Sequence, residues 1–302
     1  MKQYLVFDWG GTLIKYALMN SDAEIIGQSS IPTVPRNADR ETFLQTLDSV
    51  FEQYREAVSG VAISSPGIID SAEGIIHAVG VFPYLNECSI REVLQQRWQI
   101  PVSIENDGKA AALAELWQGS LKDCESGAVM TIGTAIGGGL VLDGKLRRGK
   151  DFFAGEFSGA CINIYAPEKP ENYWASLGVR GLTDRVARAY GIGPKEMDGH
   201  AAFAKINAGE EKALSALKEY TDLFAIAAFN LNIMLDLDRI CIGGGISRQP
   251  VLIEYLRSSI EDLRNIHPDI VAGTDLPLPK VTACRFFNEA NLIGALYHLL
   301  YE

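Results

Sequence analysis

The chain has 302 residues, about twice the commonest domain size, so the sequence predicts two domains with a large buried core. Apolar residues make up 47% and charged residues 22%, a balance that argues against an intrinsically disordered chain. The net charge of −11, and the lack of a Lys/Arg stripe interleaved with aromatic residues, argue against a nucleic-acid partner.

The sequence also predicts a cytoplasmic protein without a membrane partner. Residues 1–3 lead directly into a strand-like stretch, with no apolar segment of signal length and no later run of about 18 apolar residues. The cysteines are scattered and lack a C-x-x-C pair, so we expect buried free thiols and neither disulfides nor a thiolate metal site. They are Cys88, Cys124, Cys161, Cys241 and Cys284.

In the first part of the chain, the pattern predicts a hairpin followed by alternating strands and helices. Two apolar runs, Gln3 to Asp8 and Thr12 to Met19, flank the glycine turn Gly10-Gly11. Further elements are expected as a helix from Asp39 to Ala57, a strand from Val61 to Ser64, a helix to Trp98 capped by a Ser89–Glu92 capping box, a strand from Val102 to Glu105 and a helix from Asp107 to Trp117.

The second part begins with another predicted hairpin and then becomes mostly helical. Strands are expected from Ala128 to Ile132 and from Gly139 to Leu142, with Asp143-Gly144 as the next hairpin turn. Later elements are expected as helices from Ser176 to Tyr190, Lys195 to Ala208 and Glu210 to Leu235, strands from Arg239 to Ile242 and Lys280 to Ala283, and a closing helix from Asn288 to Tyr301.

Two hairpins with threonine-containing glycine turns indicate two related α/β halves that face a ligand cleft. We expect a small N-terminal domain of residues 1–117 with the closing helix 288–302, and a larger domain of residues 118–287.

The first glycine turn has the residues of a phosphate site. Asp8 ends a strand, and Gly10, Gly11 and Thr12 follow without side-chain bulk, so phosphate oxygens can approach backbone N–H groups. Asp8 can hold Mg²⁺ directly or through water, and Lys15 either contacts phosphate or is solvated. The alternative for this motif alone is an ordinary hairpin turn.

The second glycine turn repeats this arrangement, and a later glycine triplet adds to it. The turn spans residues 131–139 and does not match the P-loop spacing. The triplet follows a strand and suits close approach of adenosine, although a tight strand-to-helix turn explains it equally well. The candidate ATP-binding residues here are Thr131, Gly133, Thr134, Gly137, Gly138, Gly243, Gly244 and Gly245.

The candidate catalytic base is Asp107, in the run Glu105-Asn106-Asp107 at a strand-to-helix boundary. Asn and Asp also cap helices routinely, so either Asn106 or Asp107 is placed to cap the helix that follows. Taken alone, this run favours a cap.

Over nearly its whole length the chain resembles the ROK family of sugar kinases and repressors. The resemblance rests on residues 8–15, 64–67, 105–107 with 110–115, 131–139, 154–156, 175–176 and 242–247, in that order. It implies an actin-like ATPase fold of two ribonuclease H-like domains, ATP with Mg²⁺ as cosubstrate, and a homodimer. It further implies that Asp107 is the general base, that Asn106 and Glu156 bind sugar hydroxyls together with Gly67, and that the glycine turns hold ATP.

The chain departs from the family at the zinc site. Gly159 stands where many relatives have a histidine, no cysteine knot follows, and Cys161 alone cannot assemble four zinc ligands, so we expect no structural zinc. Asn172 stands where a sugar-binding Glu is usual, with Glu171 beside it. These changes resemble the zinc-less β-glucoside kinases of the family.

The substrate expectation follows from that resemblance. We expect 6-phosphorylation of a glucoside or hexose, with a β-linked glucose disaccharide favoured, and a glucokinase or N-acetylmannosamine kinase as alternatives. A non-catalytic sugar-binding protein or a transcriptional regulator is the more remote alternative. A regulator is disfavoured because only seven residues precede Asp8.

Overall fold

The structure, a computed structural model, describes residues 2–266 and 278–302, without the side chains of residues 264–266. Within these ranges no helix combines the length and the apolar character needed to cross a membrane. None of the five cysteines is in a disulfide in the described part of the chain, and all but Cys161 are buried.

The chain divides into two compact units. Unit 1 consists of Met1–Gln118, Arg148–Ala154 and Glu289–Glu302, and unit 2 consists of Gly119–Arg147 and Gly155–Asn288. The segment Arg148–Ala154 therefore belongs to unit 1, whereas the sequence placed it in the larger domain. The sequence pattern could not reveal this assignment, because the segment's long-range contacts decide it.

Unit 1 is built on a five-stranded sheet. Its strands are β1 (Gln3–Trp9), β2 (Leu13–Asn20), β3 (Ile25–Pro32), β4 (Val58–Ser65) and β7 (Val102–Asn106), and a separate hairpin consists of β5 (Ile68–Asp70) and β6 (Ile75–Ala78). The sheet order is β3-β2-β1-β4-β7. The first three strands are antiparallel, and β4 and β7 continue parallel to β1.

Four helices complete unit 1: α1 (Arg40–Phe51), α2 (Ile90–Trp98), α3 (Asp107–Gln118) and α8 (Ala290–Tyr301). Asp39 caps α1 by accepting a hydrogen bond from the backbone N of Thr42 at 2.7 Å. The predicted capping box at Ser89 is wrong, because Ser89 has ψ 67° instead of the extended backbone of a cap and its side chain makes no cap hydrogen bond.

Helix α8 packs against both the sheet and α3. It contacts β1, β4 and β7 and approaches α3 closely. A Cβ atom at Gly294 would lie 1.7 Å from the carbonyl oxygen of Ala110, so the crossing of the two helices requires glycine at this position. This packing brings Asn291, in the first turn of α8, to Asp8 at the end of β1.

Unit 2 repeats the sheet of unit 1. Its strands are β8 (Gly127–Ile132), β9 (Ile136–Leu142), β10 (Lys145–Arg147), β11 (Arg239–Gly243) and β12 (Val281–Ala283), in the order β10-β9-β8-β11-β12. Again three strands are antiparallel and two continue in parallel. The predicted turn Asp143-Gly144 joins β9 to β10 with φ values of 54° and 70°.

The helices of unit 2 are α4 (Val179–Tyr190), α5 (Gly199–Asn207), α6 (Glu211–Leu235) and α7 (Pro250–Ile266). Their apolar faces bury a core against β8 and β11 that includes Met130, Tyr220 and Phe224. Two α/β units with the same sheet order are the duplicated arrangement that the sequence predicted.

Candidate functional site

In unit 1, three parallel strands end side by side with polar residues at their carboxyl ends. Asp8 at the end of β1 pairs in register with Ser64 of β4, and Ser64 pairs with Glu105 of β7. The next pair is Ser65 with Asn106. Since the carboxyl ends of parallel strands are where α/β sheets bind ligands, these residues form one candidate site.

Asp8 is 6% exposed and is surrounded by donors. Its Oδ1 accepts hydrogen bonds from Ser64 Oγ and Asn291 Nδ2, both at 3.0 Å. Its Oδ2 faces Lys15 Nζ at 3.5 Å. Lys15 is therefore placed against Asp8 across the hairpin.

The first glycine turn is closed by backbone contacts. Gly10 N donates to the carbonyl oxygen of Leu13 at 3.0 Å, and Thr33 Oγ1 donates to the carbonyl oxygen of Gly10 at 2.6 Å. Gly11 and Thr12 remain exposed. They border a cavity of about 640 Å³ that is also lined by Thr33, Val34, Pro35, Arg36, Gly80 and Val81.

Gly67 follows β4, and the backbone there leaves no room for a side chain. Its φ is +112°, and a Cβ atom there would lie 2.4 Å from the carbonyl oxygen of Ala78. The Gly67 carbonyl accepts a hydrogen bond from Asn106 Nδ2 at 2.9 Å. The backbone at Gly67 is thus held against Asn106.

Asn106 is the residue that caps α3. Its Oδ1 accepts a hydrogen bond from Lys109 N at 3.0 Å, while its Nδ2 binds Gly67. Asp107, the first residue of α3, is partly exposed, and its Oδ1 accepts a hydrogen bond from Gly108 N at 2.8 Å. The capping alternative raised by the sequence is therefore satisfied by Asn106.

In unit 2, the second glycine turn and the glycine triplet leave adjacent strands. Thr131 of β8 pairs in register with Gly137 of β9 and with Gly243 of β11. A Cβ atom at Gly137 would lie 2.9 Å from Thr131 Oγ1, so glycine makes room for the threonine hydroxyl. The two motifs that were separate in sequence lie beside each other here.

The tip of the second turn, at Gly133 and Thr134, is exposed and lies at the start of α4. Val179 N donates to the carbonyl oxygen of Gly133 at 2.8 Å. Behind the tip, the Ser158 hydroxyl binds both the N and the O of Ile136, at 3.1 and 2.7 Å. The turn is therefore held from two sides, and Gly138 packs directly beneath it against Phe157.

The triplet is tight at its second glycine and open at its third. Gly244 has φ +90°, and a Cβ atom there would lie 2.2 Å from the carbonyl oxygen of Ile132, whereas a Cβ atom at Gly245 would meet nothing within 4 Å. Gly245 borders a cavity of about 510 Å³. The rest of its lining is Gly199, His200, Phe203, Ala204, Asn207, Ile246, Arg248, Gln249 and Asn288.

Glu156 and Asn172, the predicted sugar ligands of unit 2, lie in irregular segments. Glu156 is partly buried and precedes a short 3₁₀ turn, Phe157–Gly159. Asn172 Nδ2 donates to the carbonyl oxygen of Ala166 at 2.7 Å, so part of its side chain closes its own loop. A sugar contact by Asn172 stays a prediction.

Sequence reasoning missed several residues at these sites. Thr33 and Asn291 bind the first turn and Asp8, and His200 lines the cavity beside Gly245. His200 lies outside every motif identified in the sequence. Each joins its site by long-range packing, which no local pattern signals.

The hydrogen-bond donors around Asp8 determine how Mg²⁺ would bind there. Two donors bind Oδ1 and the Lys15 ammonium faces Oδ2, so a bare cation would compete with all three. Mg²⁺ keeps much of its hydration shell and accepts indirect contacts. The residues therefore fit Mg²⁺ held through water rather than by direct ligation.

Comparison with known proteins assigns the chain to a family. A sequence model described as "ROK family" matches residues 4–300. A β-glucoside kinase of Listeria innocua is 30% identical over 298 residues, covering 98% of this chain and 97% of that protein. A glucokinase of Thermotoga maritima is 27% identical over 311 residues, covering 95% of this chain and 94% of that protein.

The fold has close counterparts among solved structures. The crystal structure of a ROK family protein from Streptococcus pneumoniae in complex with sucrose has a TM-score of 0.86 and 29% sequence identity, covering 99% of this chain and 98% of that one. The predicted actin-like ATPase fold is confirmed.

Proposed function

The chain belongs to the ROK family and is a phosphotransferase of its sugar-kinase class, and we propose that it transfers the γ-phosphoryl group of ATP to the 6-hydroxyl of a glucoside. A β-linked glucose disaccharide is the favoured acceptor. The observation that carries the proposal is the convergence of Asp8, Gly67 and Asn106, with Asp107 next in sequence, at one sheet edge.

Asp107 is the proposed general base. Phosphoryl transfer depends mainly on alignment and charge neutralisation, and a carboxylate near the acceptor can take the hydroxyl proton. Because Asn106 supplies the cap of α3, the carboxylate of Asp107 is not required for that structural role. Asn106 still has a second amide hydrogen and one further lone pair on Oδ1 for a sugar hydroxyl.

The two glycine turns and the triplet are the proposed ATP-binding segments of the two units. Exposed backbone at Gly11, Gly133 and Thr134 suits phosphate oxygens, and the cavity beside Gly245 suits adenosine. Mg²⁺, when bound, would neutralise charge on the transferring phosphoryl group. Asp8 would orient its water ligands, with Ser64 and Asn291 fixing the carboxylate.

The disaccharide preference rests on unit 2. Gly159 stands where relatives with a zinc knot have a histidine, and a Cβ atom there would meet nothing within 4 Å. Asn172 turns its amide into its own loop. Fewer side chains gripping a free anomeric hydroxyl would leave room for an aglycone. Glucokinase and N-acetylmannosamine kinase activities are the alternatives.

A sugar panel tests the proposal. Purified protein with Mg-ATP would be assayed by coupled ADP release on cellobiose, gentiobiose, glucose and N-acetylmannosamine, with Asp107→Ala as the control. We expect sugar-dependent ADP release with the disaccharides fastest, and a product phosphorylated at the 6-position by NMR. Faster turnover of glucose would refute the disaccharide preference. ADP release independent of any sugar, or none at all, would refute the kinase proposal and leave the sugar-binding or regulatory alternative.

The oligomeric state and the cellular location stay predictions: a homodimer and a cytoplasmic protein.

A further inference from the structure

Glu105 is a charged side chain with no exposure, one residue before the candidate sugar ligand Asn106. A buried carboxylate is costly unless charged or polar partners compensate it. One of its oxygens, Oε1, accepts a hydrogen bond from the backbone N of Asn106 at 2.8 Å. Glu105 therefore holds the backbone at the start of the candidate catalytic run.

Arg148 supplies the compensating charge. Its Nε and Nη2 both contact one oxygen, Glu105 Oε2, at 2.8 and 2.7 Å. Because Oε1 is held by Asn106 N, the two carboxylate oxygens are fixed by different partners. Nη2 also contacts Glu302 Oε2, and Glu302 in turn faces His298 Nδ1 at 3.1 Å. Burial alone would lower the pKa of Arg148, but Glu105 and Glu302 raise it by more, so the guanidinium stays charged.

The contact between Arg148 and Glu105 affects the candidate site through Asn106. With its backbone N on Glu105, Asn106 caps α3 through Oδ1 and holds the Gly67 carbonyl through Nδ2. A rotation of the Glu105 carboxylate would release the backbone on which both contacts depend. Asp107 is the next residue and would move with it.

We propose that Arg148 is a positioning residue, which locks the Glu105 carboxylate so that Asn106 and Asp107 keep the orientation needed for phosphoryl transfer. The proposal rests on the proposed kinase function. Arg148 acts through Glu105 and touches no reacting atom.

The side chains around Arg148 could alternatively be interpreted as a metal site. Glu105, His298 and Glu302 bring possible ligand atoms within 4.8 Å of one another. The Arg148 guanidinium already contacts both carboxylates, so the cluster contains its own cation. A metal ion would have to displace that guanidinium.

Four proteins test the proposal: wild type, Arg148→Met, Arg148→Lys and the control Arg147→Met, whose side chain is exposed. Steady-state kinetics would be measured well below the melting temperature. We expect Arg148→Met to lower kcat by about 100-fold, as misplacement of a reacting group does, with the KM for ATP within about twofold of wild type. Arg148→Lys keeps the positive charge but cannot place two nitrogens on Glu105. Its kcat should therefore lie between those of wild type and Arg148→Met.

Hydrogen exchange gives a readout that does not depend on turnover. By mass spectrometry, peptides spanning residues 102–110 should exchange faster in Arg148→Met than in wild type, less so in Arg148→Lys, and unchanged in Arg147→Met. If Arg148→Met does not fold, the kcat and the exchange rates of Arg148→Lys test the proposal. Unchanged exchange in these peptides, or a kcat within about twofold of wild type, would overturn the positioning role. Faster exchange in an enzyme that phosphorylates no sugar would retain Arg148 as the lock and reject the kinase proposal.

Discussion

Asn291 Nδ2 donates a hydrogen bond of 3.0 Å to Asp8 Oδ1, although the two residues are 283 positions apart in the chain. Asn291 lies in the first turn of α8, and Asp8 ends β1. Helix α8 thus contributes to the same sheet edge at which the parallel strands end. It also carries His298 near its other end, where Glu302 contacts Arg148.

Asn291→Ala should weaken use of Mg-ATP more than use of sugar. The change leaves Ser64 as the remaining hydrogen-bond donor named at Asp8 Oδ1, so the carboxylate loses one constraint on its orientation. Loss of a supporting contact of this kind typically costs about 10-fold in metal affinity. We therefore expect the KM for Mg-ATP to rise about 10-fold while the KM for sugar changes less than about twofold.

Initial rates over a grid of Mg-ATP and sugar concentrations measure both constants. Glu289→Ala is the matched control, because Glu289 is exposed and lies two residues away. An equal rise in both KM values would mean that Asn291 supports the fold in general and not Asp8.

Asp107→Asn should abolish most activity without loss of stability. The amide retains Oδ1 for Gly108 N, and the cap of α3 comes from Asn106. We expect kcat to fall by about 10²- to 10⁴-fold, the usual contribution of a general base, with an unchanged thermal midpoint.

The companion variant Asn106→Ala should lose about 1 kcal/mol of unfolding free energy because it removes a helix cap. It should also raise the KM for sugar, because Asn106 is a proposed sugar ligand. Kinetics and thermal unfolding on the same preparations separate the two roles. An Asp107→Asn enzyme that retained wild-type kcat would remove Asp107 from the mechanism.

Much of the fold was predictable because its strands and helices have clear periodicity and turn residues. The strand β3 was missed since most of its residues are exposed, and an edge strand without alternating burial gives no pattern. The lengths of α1 and α4 were overestimated, and α4 begins only after Gly178.

The candidate site was predictable only in its local parts. Asp8, Asn106 and Asp107 stand at strand ends that sequence reveals, and the glycine turns punctuate the hairpins. Arg148 contacts a carboxylate 43 residues away and Asn291 one that is 283 away, so only the tertiary fold identifies them.

Adding a methyl group to either of two neighbouring glycines of the triplet should have different effects on stability. Gly244→Ala places Cβ 2.2 Å from the Ile132 carbonyl at φ +90°, which we expect to cost about 2 kcal/mol or more of unfolding free energy. Gly245→Ala meets nothing within 4 Å, so its stability should match wild type.

The same pair tests the adenosine site. The methyl group of Gly245→Ala would enter the cavity beside it and should raise the KM for ATP by about tenfold. Chemical denaturation and ATP titration distinguish these effects. A normal KM for ATP in Gly245→Ala would place adenosine elsewhere.

Glu302→Gln should reduce the dependence of stability on pH in the acid range. Burial alone would raise the pKa of Glu302, but hydrogen bonds from His298 and Arg148 lower it by more, so the folded value lies below the usual 4.5. A carboxyl with a lowered pKa stabilises the fold above its unfolded pKa, and that contribution disappears as the pH falls through the folded pKa. Wild type should therefore be more stable than Glu302→Gln near neutral pH, and the difference should shrink below about pH 4.5.

Thermal unfolding of both proteins across this range measures the difference in stability, with the exposed Glu289→Gln as the control for general charge effects. A difference that stayed constant from neutral to acid pH would show that the ion pair with Arg148 does not stabilise unit 1.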